Sequence, residues 1–421
     1  MFKFIHAADI HLDSPLRKLD VYEGAPVDEV RRAARRAFEN LVDLALAEAV
    51  AFVLLAGDLY DGDWKDYNTG LYFVSQMSRL READIPVFMI AGNHDAASRI
   101  TKALRLPQGI RMLSSKGPET LRMKQLGVAI HGQSFPSPVV DRDLSAGYAP
   151  PVPGCFNIGM LHTCATGREG HEPYAPCTVE GLRQKGYDYW ALGHVHKREV
   201  LLQDPLILFP GNVQGRHIRE TGPKGCMLVE VGGDGRPQAG FRPLDVVRWF
   251  DVETDASTAG SAYDVVDLVI ERLRQVAADN QGMPLVVRLR ITGDSRAHDA
   301  IASDREKWLN EFRSAAVDLG GGRIWIEKLK LLTRPPVDRK RLESAGGPVA
   351  ELIRYMDDIR TNPDLLGPLG DVLEDFRKKL PREILEGDDR IAPDEPEWLA
   401  DMMTEVRPML MHRLLNRGDP E

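Results

Sequence analysis

The chain has 421 residues, of which 43% are hydrophobic and 28% charged, a composition typical of a globular protein with two or three domains. Its formal net charge of −9 excludes a global attraction to nucleic acid or to an anionic membrane, so any phosphate-binding surface must be local. The sequence lacks an apolar run of the ~18–20 residues that span a membrane, a signal peptide and any CxxC spacing among its four cysteines. These features predict a cytoplasmic protein with free thiols.

Five apolar segments in the first half of the chain each predict a strand that ends in Asp, Asn or His. They are Phe2–Ala8 before Asp9 and His11, Ala51–Ala56 before Gly57 and Asp58, Ile85–Ala91 before Gly92–Asp95, Asn157–Leu161 before His162, and Tyr187–Leu192 before Gly193–His196. Because open α/β sheets place their chemistry at the carboxyl edge of the strands, we expect these polar side chains to converge.

Two pairs of these residues have the spacing of strand neighbours on one face. The pairs are Asp9 with His11 and His194 with His196. Residues i and i+2 of an extended segment have their side chains on the same face. A carboxylate beside an imidazole makes a two-point grip on a metal ion. Asp58 has two oxygens and could bridge two cations, as hydrolases with two metals ~3.5–4 Å apart require.

The segment Gly92–Asp95 has a second interpretation as an ordinary turn, since Gly, Asn and Asp are favoured turn residues. As a functional unit, Asn93 offers a neutral oxygen ligand and His94 a proton donor or oxyanion stabiliser. Asp95 could accept a hydrogen bond from His94 and raise its pKa. Three acidic residues after Asp58 are interpreted as helix-capping or solvated, namely Asp61, Asp63 and Asp66.

Basic residues form two clusters. The amphipathic helix predicted over 27–49 carries Arg31, Arg32, Arg35 and Arg36, interpreted as a solvated face paired with Asp28, Glu29 and Glu39 rather than as a phosphate contact. A loop after the predicted strand Leu206–Phe209 carries Arg216, His217, Arg219 and Lys224. These are candidate phosphate contacts, with simple loop solubility as the alternative.

The ordered set of strand-end motifs resembles the calcineurin-like metallophosphoesterases. Within that superfamily, the segments Ala7–Asp13 and Ala56–Asp61 resemble the SbcD-type DNA repair exonucleases, and Pro210–His217 resembles the bacterial YhaO branch. The resemblance implies an α/β fold in which a metallophosphoesterase β-sandwich flanked by helices occupies residues 1–240.

The resemblance also implies a site with two divalent ions, by family habit Mn²⁺. One ion would be held by Asp9, His11, Asp58 and His196, and the other by Asp58, Asn93, His162 and His194, with Asp58 bridging. His94 would protonate or steady the leaving oxygen, with Asp95 orienting it.

Two further regions follow the catalytic unit. Residues 241–333 alternate strand, helix, strand, helix, strand, and by analogy form a small α+β cap that helps to bind DNA. Residues 334–421 read as a linker and a helical C-terminal segment, which in the family docks on a coiled-coil ATPase. The resemblance therefore implies a DNA exonuclease or endonuclease, and a homodimer is typical of related nucleases. The alternative is a small-molecule or cyclic nucleotide phosphoesterase using the same metals.

Overall fold

The computed structural model describes residues 1–14, 27–61, 67–97, 106–165, 175–280 and 282–336, with short stretches between 351 and 410. The chain divides into two compact units. The first comprises Met1–Asp251, Asn280–Val287 and Arg323–Glu327, and the second comprises Val252–Asp279, Arg288–Gly322 and the described part of Lys328–Glu421. The domain boundaries at 240 and 334 stay predictions.

The first unit is built on two six-stranded sheets. Their strands in chain order are β1 (Phe2–Ala7), β2 (Phe52–Ala56), β3 (Val87–Ile90), β4 (Ile110–Met112), β5 (Glu119–Met123), β6 (Val128–Gly132), β7 (Phe156–His162), β8 (Tyr189–Gly193), β9 (Glu199–Gln203), β10 (Leu206–Phe209), β11 (Gly225–Val231) and β12 (Pro237–Pro243). One sheet has the order β12-β11-β1-β2-β3-β4 and the other β5-β6-β7-β8-β10-β9. The strands β1 to β4 are parallel to one another, as are β6, β7, β8 and β10.

Helices connect the parallel strands. They are α1 (Val27–Ala47), α2 (Tyr67–Glu82), α3 (Asn93–Ala97) and α4 (Val179–Gln184), and a 3₁₀ turn covers Ser145–Gly147. The helices α1 and α2 are the crossovers that parallel strands require. The predicted amphipathic pattern of α1 is confirmed, because Phe38, Leu41 and Ala45 are fully buried against the first sheet.

Aromatic side chains fill the space between the two sheets. The rings of Phe4 and Phe52 stack with centroids 4.9 Å apart, and Tyr189 of the second sheet meets Phe4 edge-on at 5.2 Å. Both faces of β2 and β8 are buried, which explains why these strands read as continuous apolar runs. The predicted α/β fold, a sandwich of two mixed sheets with flanking helices, is confirmed.

A three-stranded sheet follows along the chain, with the order β13 (Arg248–Asp255), β14 (Leu285–Thr292) and β15 (Ile324–Leu331). The helices in this region are α5 (Ala262–Asp279), α6 (His298–Ser303) and α7 (Arg305–Gly320). The predicted alternation of strand, helix, strand, helix, strand is confirmed, and α6 is an additional short helix before α7.

Only parts of the predicted C-terminal helices belong to the described residues. Stretches 372–377 and 398–403 are helical. Ile359 and Leu399 are buried in a small cluster with Leu373, Trp398, Ala400 and Met403 packed against it. Val372 and Phe376, one helical turn apart, remain 77% and 50% exposed.

Candidate metal centre

The residues that follow five of the strands meet in adjoining clusters of potential metal ligands. One cluster comprises Asp9, His11 and His196, and another comprises Asp58, His162 and His194. The ligand atoms within each cluster lie within 4.8 Å of one another. A third grouping of His11, Asp58 and His94 links the two.

Left-handed backbone turns, and not strand alternation, aim these side chains. Asp9 and His11 lie beyond the end of β1 with φ of 53° and 46°, and Asp58 and His194 have φ of 52° and 102°. Asp9 and His11 still share one cluster, as predicted, whereas His194 and His196 belong to different clusters. The extended backbone expected for both pairs was wrong, because left-handed conformations replace it. Such conformations cost ~1–3 kcal/mol each in residues other than glycine. Cross-strand hydrogen bonds hold two of them: Asp9 donates its N–H to Gly57 O, and His11 to Asp58 O, both at 3.0 Å.

In the first cluster the imidazoles face each other. The Nε2 atoms of His11 and His196 are 3.2 Å apart, and His196 Nε2 lies 3.9 Å from Asp9 Oδ1. Asp9 and His11 are almost completely buried, and His196 is partly exposed. Three donor atoms therefore point at one small volume from two different sheets.

The second cluster has the same character. His162 Nε2 lies 3.4 Å from Asp58 Oδ2 and 3.0 Å from Asn93 Oδ1. His194 completes the cluster. The side chains predicted as ligands of the second ion are thus neighbours in the structure.

Asp58 lies between the two clusters. Its Oδ2 atom is 3.9 Å from His11 Nε2 and 3.4 Å from His162 Nε2. The other oxygen, Oδ1, accepts the backbone N–H of His94 at 3.0 Å. With 1% of its surface exposed, this carboxylate is placed to serve both clusters at once.

The hydrogen bonds of the imidazoles fit bound cations. His162 Nδ1 donates to the carbonyl oxygen of Ala56 at 3.0 Å, so in the neutral ring Nε2 carries a lone pair. That lone pair faces two oxygen acceptors, one on Asp58 and one on Asn93. A positive charge between these three atoms resolves the repulsion, and outer hydrogen bonds of this kind are typical of metal-ligating histidines.

Burial of the carboxylates also favours cations in the site. Burial raises the pKa of Asp9 to about 6, because a buried negative charge is costly without a partner. Burial lowers the pKa of His162, but the carboxylates of Asp58 and Asp9 together raise it, to about 9. Divalent ions would supply the balancing charge and displace the proton from His162.

Glycine allows the two sheets to converge here. A Cβ atom on Gly193 would lie 1.9 Å from the carbonyl oxygen of Ala56, a distance no side chain can occupy. The close approach of β8 to the end of β2 brings His194 towards Asp58. Gly57 and Gly92 are confined in the same way by His162 and Asp58, so these three glycines are part of the site's construction.

The hydrogen-bond partner of His94 differs from the predicted one. His94 Nδ1 lies 2.9 Å from Asp61 Oδ1, and this hydrogen bond raises the pKa of His94. Asp95 is buried and accepts backbone N–H groups of Leu59, Tyr60 and Gly92 at 3.0–3.2 Å. Asp95 thus fixes the backbone on both sides of the site, and Asp61 orients His94. The interpretation of Asp61 as a capping or solvated residue was wrong; Asp63 and Asp66 lie outside the described residues.

The four candidate phosphate contacts occupy different environments. Lys224 is 9% exposed and donates to the backbone oxygen of His196 at 3.1 Å. Arg216 is half-buried, with its guanidinium 3.2 Å from Glu220 Oε1 and 3.7 Å from Asp61 Oδ2. His217 and Arg219 are exposed. Two of the four side chains are therefore exposed, and the other two contact groups next to the clusters.

Arg35, in the basic cluster on α1, has a different partner from the predicted acidic residues of the same helix. Its guanidinium forms a two-pronged ion pair with Asp13 and lies over the ring of Tyr72, 5.0 Å from the centroid. This half-buried contact ties the loop after β1 to α1 and α2. Arg31, Asp28 and Glu29 have side chains outside the described set.

Glu220 and Asp61 are functional candidates that the sequence analysis missed. Glu220 Oε1 accepts a hydrogen bond from His196 Nδ1 at 2.6 Å. Asp61 follows Asp58 by three residues, which is a local signal. Glu220 is 24 residues from His196, and only the folded chain brings the two together.

Comparisons with known proteins agree with this geometry. Residues 2–198 match the calcineurin-like phosphoesterase family, and residues 249–334 match the middle domain of the metallophosphoesterase YhaO. The uncharacterized metallophosphoesterase YhaO of Bacillus subtilis is 36% identical over 69% of this chain and 71% of its own length.

Proteins named DNA double-strand break repair protein Mre11 also match. The one from Thermoplasma acidophilum is 31% identical over 69% of this chain and 77% of its own length. The one from Sulfurisphaera tokodaii is 28% identical over 55% of this chain, which spans only 60% of that relative. None of the helices in the described part of the chain is long and apolar enough to cross a membrane. The chain belongs to the calcineurin-like metallophosphoesterase family with a YhaO-type middle domain, and is a metal-dependent phosphoester hydrolase.

Proposed function

We propose that this protein is a two-metal-dependent DNA phosphodiester hydrolase, an exonuclease or endonuclease acting in DNA repair in the cytoplasm. The observation that carries the proposal is the position of Asp58, a buried carboxylate shared by two clusters of imidazole and carboxylate ligands. DNA as the substrate is supported by the Mre11 relatives, whose name refers to repair of DNA double-strand breaks.

The proposed ligands of the first ion are Asp9, His11, Asp58 and His196, and those of the second are Asp58, Asn93, His162 and His194. These oxygen and imidazole donors include no thiolate, which suits Mn²⁺ as well as iron or zinc. We propose Mn²⁺. When bound, two such ions would lower the pKa of an attacking water and neutralise charge on the phosphate oxygens.

His94 is the proposed proton donor to the leaving oxygen. It lies beside Asp58, and its side chain remains 39% exposed, so a substrate can reach it. The hydrogen bond that His94 Nδ1 donates to Asp61 holds the ring in place and favours its charged form. A charged imidazole can give a proton to the leaving alkoxide or stabilise its negative charge.

Replacing His94 with alanine is expected to lower kcat by ~10²–10⁴-fold, the usual contribution of a general acid. Both ions should remain bound, because His94 is not among the proposed ligands. The test measures turnover of bis-p-nitrophenyl phosphate together with Mn²⁺ content of the purified variant. Loss of both ions along with activity would assign His94 to metal binding and contradict the proposed role.

The alternative function is hydrolysis of a small nucleotide or cyclic nucleotide by the same centre. An assay on end-labelled linear DNA, bis-p-nitrophenyl phosphate and a cyclic nucleotide, each with Mn²⁺, separates the two. We expect the DNA to shorten, and the rate to fall steeply as salt rises, because DNA contacts release counterions. Hydrolysis of the small esters alone, with intact DNA, would favour the alternative.

We also propose that a coiled-coil ATPase docks on the C-terminal helices. The supporting observation is the pair Val372 and Phe376, which are 77% and 50% exposed and share one side of a helical turn. An apolar pair of this kind suits a helix-in-groove contact. Adding the ATPase to the DNA assay is therefore the second arm of the same experiment. If DNA stays intact in both arms, the nuclease proposal fails.

A further inference from the structure

We propose that Glu220, Arg216 and Asp61 form one charge network that positions His196 as a metal ligand and His94 as a proton donor. The inference rests on the proposed function for the roles of these two histidines. The network itself is seen in the contacts among five side chains from four separate parts of the chain.

Glu220 holds His196 in one tautomer. The carboxylate, 4% exposed, lies 2.6 Å from His196 Nδ1. Because an ionised carboxylate only accepts hydrogen bonds, Nδ1 carries the proton and Nε2 presents its lone pair. That Nε2 atom is the one that faces His11 Nε2 at 3.2 Å. Without this partner, the ring of His196 could rotate or take the other tautomer, and its affinity for a metal ion would fall.

Other groups fix Glu220 itself. Its Oε2 atom accepts the backbone N–H of Arg216 at 2.7 Å and the side-chain amide of Asn212 at 2.9 Å. Burial raises the pKa of Glu220, but its bonds to His196 and the charge of Arg216 outweigh burial and hold it well below the usual range. The carboxylate is thus ionised, and four donor groups from three residues immobilise it.

Arg216 joins this carboxylate to the one beside His94. Its guanidinium lies 3.2 Å from Glu220 Oε1 and 3.7 Å from Asp61 Oδ2, and it faces His196 Nδ1 at 3.3 Å. Asp61 in turn lies 2.9 Å from His94 Nδ1. A planar guanidinium can serve two carboxylates from different nitrogen atoms. Arg216 is therefore a positioning residue between two anions, and its charge is already engaged by them.

The network reaches only one of the two ligand clusters. His196 belongs with Asp9 and His11, whereas His162 and His194 belong with Asp58 on the other side. His162 has its own outer partner, the carbonyl oxygen of Ala56. A change in Glu220 should therefore weaken the binding of one ion and leave the binding of the other unchanged. A general loss of structure would weaken the binding of both.

The test is Mn²⁺ titration calorimetry on the full chain carrying Glu220→Gln. The amide keeps the size of the side chain but has only one acceptor oxygen. If that oxygen accepts the backbone N–H of Arg216 and the amide of Asn212, the NH2 group faces His196 Nδ1 and cannot accept its proton. We expect one of two Mn²⁺ sites to weaken by ~10–100-fold, the usual cost of losing an outer partner. The matched control is Glu180→Gln, which breaks an exposed pair with Arg183 at the same 3.2 Å distance and should leave both affinities unchanged.

A second variant, Arg216→Gln, keeps the bond between Glu220 and His196 and removes the shared cation. Arg216→Gln should lower the Mn²⁺ affinity of the same site. It should also lower kcat at saturating Mn²⁺, because Asp61, which orients His94, loses its ion pair with Arg216. Arg216→Lys should recover part of the Mn²⁺ affinity and part of kcat. Circular dichroism of each variant shows whether the chain is folded. If Glu220→Gln does not fold, Arg216→Gln decides the question.

The outcomes separate this inference from the proposed function. Wild-type protein that binds no Mn²⁺ would overturn the proposed function. Wild-type protein that binds two ions, with folded Glu220→Gln and Arg216→Gln variants binding both equally well, would overturn the network alone.

Discussion

Replacing Asp58 with asparagine is expected to abolish binding of both ions and to lower kcat/KM by at least ~10³-fold. The carboxylate lies 3.9 Å from His11 Nε2 and 3.4 Å from His162 Nε2, so one substitution removes an oxygen ligand from two sites. Metal ions contribute several kcal/mol of charge stabilisation in such reactions, and each ~1.36 kcal/mol is a tenfold change in rate. The measurement is hydrolysis of bis-p-nitrophenyl phosphate beside the Mn²⁺ content of the purified variant.

The asparagine keeps the shape of the side chain and its acceptor for the N–H of His94, which is 3.0 Å from Oδ1. The chain is therefore expected to fold. Asp43→Asn is the matched control, since Asp43 is an exposed residue that pairs with Arg79 on the helix surface. An Asp58→Asn variant that keeps both ions and its activity would refute the proposal that this carboxylate is a ligand of both ions.

Replacing Gly92 with alanine is expected to lower kcat/KM by ~10²-fold or more without unfolding the chain. A Cβ atom at this position would lie 2.2 Å from Asp58 Oδ1 and 2.8 Å from His162 Nε2. Asp58 cannot simply move aside, because its Oδ1 atom is bound to the backbone of His94. Displacing reacting groups by ~1 Å typically costs ~10²-fold in rate.

The comparison variant is Gly117→Ala, since a Cβ atom on Gly117 would meet no atom within 4 Å. The two variants receive the same side chain, and only the first one collides with candidate ligands. Steady-state kinetics and Mn²⁺ affinity measure the difference. Equal, wild-type values for both would mean that Asp58 and His162 are not confined as the structure describes.

The strand ends were predictable because local sequence encodes them. Short apolar runs end at Asp9, Asp58 and His162, and parallel strands must present such residues at one edge. The directions of the side chains were not predictable, because left-handed turns at Asp9 and Asp58 replace the expected alternation. Those turns are held by hydrogen bonds between separate segments of the chain.

Long-range contacts account for most of what the sequence analysis missed. The strand β11 pairs with β1 across more than two hundred residues, as in the register of Phe2 with Val231. The neighbouring β12 begins and ends with proline and contains Gly240, residues that argue against a strand when read locally. Glu220 was missed for the same reason, since its partner His196 lies on a different loop.

The helix at the Gly92–Asp95 motif shows a local conflict. The alternative interpretation of this segment was an ordinary turn, but α3 begins at Asn93. Asp95 in that helix accepts N–H groups from Leu59 and Tyr60, which ties the motif to the loop after β2. The side chain that remains available to orient His94 is then Asp61, three residues after Asp58.

The most direct test of the account is a crystal structure of the protein soaked with Mn²⁺, with anomalous difference density measured at the manganese edge. We predict two peaks ~3.5–4 Å apart, the usual separation in two-metal hydrolases. One should lie among Asp9, His11 and His196, the other among Asn93, His162 and His194, with Asp58 bound to both. A single peak, or two peaks that do not share Asp58, would contradict the account.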